Sequence, residues 1–130
     1  MSPEIAGVII KLMKQAARNN IGAIEERSLR LEREINRIKT ILSGRDDILR
    51  VILFGSFAQG RTDAFSDLDI IIIQESGKRF MDRLDEMYRL LSPTVACDIL
   101  VYTPREFERL QKESSFVSHA VSTGTVLHAA

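Results

Sequence analysis

The stretch that says most about this chain is GSFAQGRTDAFSDLDIIII, residues 55–73. It begins with a Gly-Ser pair and ends with Asp67 and Asp69, which run directly into four isoleucines. The β-branched run predicts a buried strand, and residues two apart in a strand point to the same face. Two carboxylates held this close repel each other. Either one is protonated or a cation lies between them, and a buried pair is costly to keep ionised.

The chain on either side of this stretch alternates between strand and helix patterns. Short apolar, β-branched runs predict three strands, and apolar residues at helical spacing predict helices between and after them. The strands are expected at 48–54, 68–73 and 95–102, and the helices at 79–91, from 103 to about 112, and at 114–122. A short helix is also expected directly after Gly55-Ser56. This order predicts an α/β or α+β domain with a single sheet covered by helices.

The first 43 residues are predicted to be helical, in two pieces. Apolar residues recur at helical spacing over 3–18 and again over 23–43, with Asn19, Asn20 and Gly22 interrupting the pattern. We therefore expect an N-terminal helical extension, residues 1–22, and one domain over residues 23–130. The apolar stripe over residues 23–43 indicates a surface helix packed on the domain. The alternative is a helix that contacts a partner or forms a homo-oligomer.

Composition narrows the class of protein. The formal net charge is zero, so there is no long-range attraction to nucleic acid or to an anionic membrane, and the 45% hydrophobic content is typical of a soluble globular domain. With Cys97 as the single cysteine no intramolecular disulfide can form, which favours a cytoplasmic setting. No signal peptide or membrane span is expected.

A third acid, Asp98, lies within the predicted third strand. If the strands are neighbours, Asp67, Asp69 and Asp98 converge on one edge of the sheet, and three carboxylates without His or Cys suit Mg²⁺ or Mn²⁺. The alternatives are an Asx turn at Ser66-Asp67 and a solvated acid at the strand end. Gly55-Ser56 follows the first strand directly, where glycine lets a phosphate approach the backbone.

These residues together resemble a known family. Leu53-Phe54-Gly55-Ser56, ten intervening residues and then Asp67-Leu68-Asp69 is similar to the hGS-x10-DxD signature of the nucleotidyltransferase superfamily of the DNA polymerase β type. Asp98 is similar to that family's third carboxylate. The likeness is greatest to the minimal nucleotidyltransferases (MNT), and it covers about residues 45–128, including Gly124-x-x-Leu127 near the end.

The resemblance implies a polymerase β palm-like fold, a mixed sheet with its site at one edge. It also implies transfer of a nucleoside monophosphate from an NTP, with ATP expected, to a hydroxyl. By this resemblance Gly55 and Ser56 hold the triphosphate, Asp67 and Asp69 bind two Mg²⁺ (or Mn²⁺) ions, and Asp98 completes the metal and catalytic set. Arg61 either meets the triphosphate or is a solvated loop residue.

The resemblance leaves the acceptor open. A small helical HEPN-type toxin, modified on a tyrosine by an MNT antitoxin, is the first expectation, and an aminoglycoside-like small molecule is the second. Templated work on nucleic acid is not expected. Many relatives carry a basic residue where this chain has Phe57 or Gln59, which keeps a third interpretation open, a binding module that neutralises its partner by occlusion.

The remaining polar and aromatic residues are expected to be structural. Tyr88 and Tyr102 are predicted to lie at the edge of the core. His119 and His128 lack the spacing of metal ligands, and surface or core filling is expected for both.

Overall fold

The computed structural model describes residues 2–61 and 67–130, without the side chains of residues 17–21. The elements follow in the order α1 (Pro3–Ser43), β1 (Ile48–Phe54), α2 (Gly55–Ala58), β2 (Leu68–Gln74), α3 (Phe80–Leu91), β3 (Cys97–Tyr102), α4 (Pro104–Glu113), α5 (Ser115–Thr123) and β4 (Thr125–Ala129). The three expected strands and the helices expected after residue 43 are present, so the α/β interpretation is confirmed.

The strands form one mixed sheet in the order β3-β2-β1-β4. β1 pairs antiparallel with β2 and with β4, whereas β2 and β3 run parallel because α3 crosses between them. β3 is therefore one edge of the sheet. The beginnings of β2 and β3 lie side by side, and this is where the acidic residues fall.

The isoleucine run is buried because helices cover both faces of the sheet. Ile70 and Ile72 join one apolar cluster with residues of α1 and α3. Ile71 and Ile73 join a second cluster with Phe107 of α4 and residues of α5. The four consecutive isoleucines therefore hold both helical layers on the sheet.

The prediction of two separate N-terminal helices is wrong, because α1 is one helix of 41 residues. It begins at the N-cap Ser2, whose hydroxyl accepts a hydrogen bond from the backbone N–H of Ile5. A glycine inside a helix costs only about 1 kcal/mol, so Gly22 does not break it. The side chains of Asn19 and Asn20, part of the expected interruption, lie outside the described residues. The domain division at residue 22 stays a prediction.

The two halves of α1 have different surroundings. In the C-terminal half Leu31, Ile38 and Leu42 are fully buried against the sheet, so the surface-helix interpretation is confirmed there. Near the N-terminus the apolar side chains face solvent, and Leu12 and Met13 are more than half exposed. The described part of the chain contains no helix that is both long and apolar enough to cross a membrane.

Two further features differ from the predictions. β3 begins at Cys97 rather than at residue 95, so Asp98 is its second residue. β4 was not predicted, because its side chains are exposed or half-buried and lack a buried apolar run. Gly124 precedes β4 at a point of close packing. A Cβ there would lie 2.5 Å from the Ala120 carbonyl oxygen and 2.8 Å from that of Leu53.

Candidate active site

The Gly-Ser pair lies where β1 ends and α2 begins. Gly55 has a φ of +81°, and a Cβ at this position would lie 2.2 Å from Oδ2 of Asp69. Both the backbone conformation and the space therefore require glycine. Phe54 is paired with Asp69 across β1 and β2, which explains the contact. The Ser56 side chain is exposed in the first turn of α2.

The three acids meet at the beginnings of β2 and β3. Asp69 is directly opposite Asp98 in the parallel pairing of these strands, and neighbouring strands are about 4.8 Å apart. Asp67 precedes β2 by one residue and shares the face of Asp69. The expectation of a buried pair is wrong in part. Asp67 and Asp98 are exposed and only Asp69 is half-buried, because the strands begin at the rim of the sheet.

The surroundings of Asp69 disfavour the ionised form of its carboxyl group. Burial, together with the negative charges of Asp98 and Asp67, raises the pKa of its carboxyl group. None of the described residues donates a hydrogen bond to this carboxylate. A bound cation would offset the repulsion among the three groups.

A cation other than a metal is also close by. A guanidinium nitrogen of Arg27, on α1, lies 3.7 Å from Oδ1 of Asp67. The helix that precedes the sheet therefore carries positive charge to the rim of the acidic site. The Asx-turn interpretation of Ser66-Asp67 cannot be followed further, because Ser66 lies outside the described residues.

The donor chemistry at this site fits a hard cation. The side chains that converge are carboxylates, and oxygen ligands of this kind are preferred by Mg²⁺ and Mn²⁺. Over residues 2–61 and 67–130, however, no three His, Cys, Asp or Glu side chains are already gathered as a metal site. Assignment of the metal to Asp67, Asp69 and Asp98 stays a prediction.

Two cavities open beside these residues and meet at Phe54 and Phe116. The larger, about 500 Å³, is lined by both of these rings and by Asp69, Tyr88, Asp98, Ile99 and Leu100. The smaller, about 200 Å³, is lined by Phe54, Gly55, Ser56, Gln59, Arg61, Phe116, His119, Ala120 and Thr123. The acids therefore line one cavity and the Gly-Ser pair lines the other, with α5 forming a shared wall.

Arg61 lies beside the Gly-Ser pair, as expected. Its backbone N–H donates to the carbonyl of Ser56 at 2.9 Å, and its guanidinium donates to Oε1 of Gln59 at 2.6 Å. The side chain is exposed and lines the smaller cavity, so it is within the site's reach. Its role toward a triphosphate stays a prediction.

Two aromatic residues of the site were not predicted from the sequence. Phe116 packs edge-to-face on Phe54, with ring centroids 5.7 Å apart, and remains about half exposed between the two cavities. Tyr88 lies at the edge of the fold as predicted, and it also lines the larger cavity. Neither residue belongs to a motif. The one feature of the sequence that could have indicated Phe116 is the presence of an aromatic residue among the serines at the start of this predicted helix.

A larger cavity of about 680 Å³ lies elsewhere, by the loop before α3 and along α4. Its charged side chains are largely paired with one another, including Arg83 with Glu106 and Arg109 with Glu113. Its walls come from the chain after the ends of β2 and β3, whereas the acids lie at the beginnings of these strands. We therefore place the candidate site at the acids rather than in this larger cavity.

Comparison with known proteins identifies the class. Residues 36–129 match the family model described as Polymerase beta, Nucleotidyltransferase. This match covers most of the chain, and the protein belongs to the polymerase β-type nucleotidyltransferase family. No curated protein matches the sequence.

Two solved structures are similar to this chain at low sequence identity. One is a toxin–antitoxin with AMP-PNP, at 22% identity and a TM-score of 0.48, covering 74% of this chain and 73% of that one. The other is a mutant of the toxin–antitoxin MntA-HpeT, also at 22% identity and a TM-score of 0.48, covering 73% of this chain and 72% of that one.

Proposed function

We propose that this protein is a metal-dependent nucleotidyltransferase that moves a nucleoside monophosphate, AMP from ATP in the first instance, to a hydroxyl group. The observation that carries the proposal is the contact of Gly55 with Asp69, together with the register of Asp69 opposite Asp98. The proposal is supported by this closeness of the Gly-Ser turn to two carboxylates on paired strands. Family membership supports transfer chemistry of this kind.

Each part of the site has a distinct role in this proposal. Gly55 lets the backbone pass beside the Asp69 carboxylate, and Gly55 and Ser56 together would hold the triphosphate, Ser56 through its exposed hydroxyl. Arg61 adds positive charge at the smaller cavity. Asp67, Asp69 and Asp98 would hold two Mg²⁺ or Mn²⁺ ions, which when bound neutralise charge on the attacking and leaving oxygens. Asp98, exposed at the larger cavity, would accept the proton of the acceptor hydroxyl.

For the acceptor, we propose a tyrosine of a small helical protein of the HEPN type, with this chain acting as the antitoxin. The larger cavity adjoins Asp98 and is lined by the rings of Phe54, Tyr88 and Phe116. Such a wall favours an aromatic hydroxyl over a heavily hydrated sugar, because apolar surface is buried when a ring binds. The toxin–antitoxin role itself rests on the resemblance of the motif to the MNT group.

A second candidate function follows from the weak positive charge beside Ser56. Phe57 and Gln59 replace basic residues, and the guanidinium of Arg61 is hydrogen-bonded to Gln59. A protein that binds its partner without transferring a nucleotide would use the exposed apolar side chains near the start of α1 instead. A small-molecule acceptor such as an aminoglycoside is the other alternative.

The test is transfer of label from α-labelled ATP with Mg²⁺ to candidate acceptor proteins and aminoglycosides. We expect Asp67→Asn/Asp69→Asn to lower transfer on the order of a thousandfold, because charge neutralisation at the transferred phosphate is lost. The matched control is Asp82→Asn/Asp85→Asn, which removes two exposed acids from α3 and leaves the site intact.

Label transfer that survives the Asp67→Asn/Asp69→Asn change would overturn the metal-site assignment. If the wild-type protein neither transfers label nor binds ATP by calorimetry, yet forms a complex with the partner, the binding module is the correct interpretation. Transfer to an aminoglycoside but to no protein would replace the tyrosine acceptor.

A further inference from the structure

The outer edge of β3 is closed by side chains of α3 rather than by another strand. An edge strand presents unpaired backbone N–H and C=O groups along its outer side. The Tyr88 hydroxyl donates to the Cys97 carbonyl and accepts from the Ile99 N–H, each at 3.0 Å. One hydroxyl group therefore satisfies two outward-facing backbone groups.

These two backbone groups belong to the peptide units on either side of Asp98. The Cys97 carbonyl is in the peptide that precedes Asp98, and the Ile99 N–H is in the peptide that follows it. Because both peptides are tied to one hydroxyl, the backbone of Asp98 is held on its outer side while β2 pairs with it on the inner side. The Asp98 carboxylate thus projects from a backbone fixed on both sides.

The hydroxyl bridge that Tyr88 forms between Cys97 and Ile99 lies at the candidate site. The Tyr88 side chain lines the same cavity as Asp69 and Asp98, and it is about one-third exposed there. A separate contact holds the far end of the strand, where Arg83 donates to the Val101 carbonyl at 3.3 Å and to the Lys78 carbonyl at 2.8 Å. Attachment of α3 to β3 therefore does not depend on Tyr88 alone.

We propose that Tyr88 is a positioning residue for Asp98. Its hydroxyl bridge fixes the backbone of Asp98 in the register opposite Asp69, and so limits where the Asp98 carboxylate can lie toward a shared divalent cation. This inference rests on the proposed function, since it assigns Asp98 to the metal site. It is independent of which nucleotide is used and of which acceptor receives it.

The test is the variant Tyr88→Phe, which removes the hydroxyl and keeps the ring. Residues that orient metal ligands typically change metal affinity or activity by about 10- to 100-fold. We expect Mn²⁺ affinity, measured by electron paramagnetic resonance without nucleotide, to fall about tenfold. We expect kcat to fall by a similar factor with an unchanged KM for ATP, and amide exchange at Ile99 to become faster.

Tyr102→Phe is the matched control, because Tyr102 lies at the far end of β3 with its ring stacked on Phe80. It should leave Mn²⁺ affinity and kcat at the wild-type values. A second measurement needs no variant: Mg²⁺ added to the wild-type protein should shift the Ile99 amide resonance and leave that of Tyr102 in place.

The outcomes separate this inference from the proposed function. Wild-type Mn²⁺ affinity and kcat in Tyr88→Phe would overturn the positioning role while leaving the transferase intact. An unfolded Tyr88→Phe, with no Mg²⁺-dependent shift at Ile99 in the wild type, would assign the hydroxyl to stability alone and also overturn it. Failure of the wild-type protein to bind Mn²⁺ or transfer label would reject the proposed function itself.

Discussion

Glu34 and Asp69 are both carboxylates enclosed by the fold, and their pKa values move in opposite directions. Glu34, on α1, is 2% exposed. Burial alone would raise its pKa, but hydrogen bonds from Arg37 and from the hydroxyl and backbone N–H of Thr94 lower it to about 2. Asp69 is half-buried, and both its burial and the nearby negative charges of Asp98 and Asp67 raise its pKa.

The difference separates an acid that stabilises the fold from one whose ionisation its surroundings oppose. Glu34 connects α1 to the segment between α3 and β3, and its ion-pair partner Arg37 also donates to the Leu91 carbonyl at 2.6 Å. The charge of Glu34 is balanced by these donors. The charge of Asp69 lies beside those of Asp98 and Asp67, and a carboxylate perturbed in this way marks a candidate functional site.

The largest expected effect on stability comes from replacing the Glu34 carboxylate. Glu34→Gln places an amide N–H₂ group against donors that the carboxylate accepts from, and it leaves Arg37 without its charge partner. We expect a loss of about 3 kcal/mol in the free energy of unfolding, measured with urea. The control Glu32→Gln, at an exposed position on the same helix, should change it by less than about 0.5 kcal/mol. A loss below about 1 kcal/mol for Glu34→Gln would contradict this account.

A somewhat smaller effect is expected from acid pH. The folded-state pKa of Glu34 lies below its ordinary value of 4.5, so its contribution is complete above that pH and is lost as the pH falls toward 2. Between about pH 6 and about pH 3 this group should account for a loss of about 2 kcal/mol. Asp47, whose pKa is lowered mainly by Arg45, acts in the same direction. The difference between wild type and Glu34→Gln isolates the Glu34 part; parallel pH curves for the two proteins would refute it.

The smallest effect has the opposite sign and concerns Asp69. Because its folded-state pKa is raised, ionisation at neutral pH opposes folding, and Asp69→Asn removes that cost. In the presence of a chelator we expect the Tm to rise by roughly 2–4 °C, measured by thermal unfolding. Added Mg²⁺ should raise the Tm of the wild type and not that of the variant. A lower Tm for Asp69→Asn, with Asp82→Asn as the surface control, would show that Asp69 stabilises the fold as Glu34 does.

The local pattern of residues was sufficient to predict much of the fold. β1 and β2 are short apolar runs bounded by glycine or acid, and α4 was expected from residue 103, where the structure has a capping box at Thr103. Pattern failed for the continuity of α1, because the cost of Gly22 is small compared with the cooperativity of a long helix. It failed for β4 because that strand has few buried side chains and is defined by its pairing with β1.

The candidate site also contains residues that the local sequence predicts and residues that only the fold brings together. Gly55, Ser56, Asp67 and Asp69 could be selected because their types and spacing are confined to one short stretch. Tyr88 and Phe116 could not, since their roles depend on which helix lies against the edge of β3 and which lies over the end of β1. The burial of Glu34 was not predicted either. An acid within a charged helix looks like a surface residue in the sequence, and only the folded structure shows its contact with Thr94.

Short stretches of sequence are enough to define the strand-forming segments, the glycine that follows β1 and the two acids at the start of β2, because each depends on neighbours within a few residues. The parallel pairing of β2 with β3, in a register that sets Asp69 opposite Asp98, comes instead from long-range packing. This arrangement depends on α3, which connects the two strands and packs against β3. Those contacts join residues that no local pattern relates.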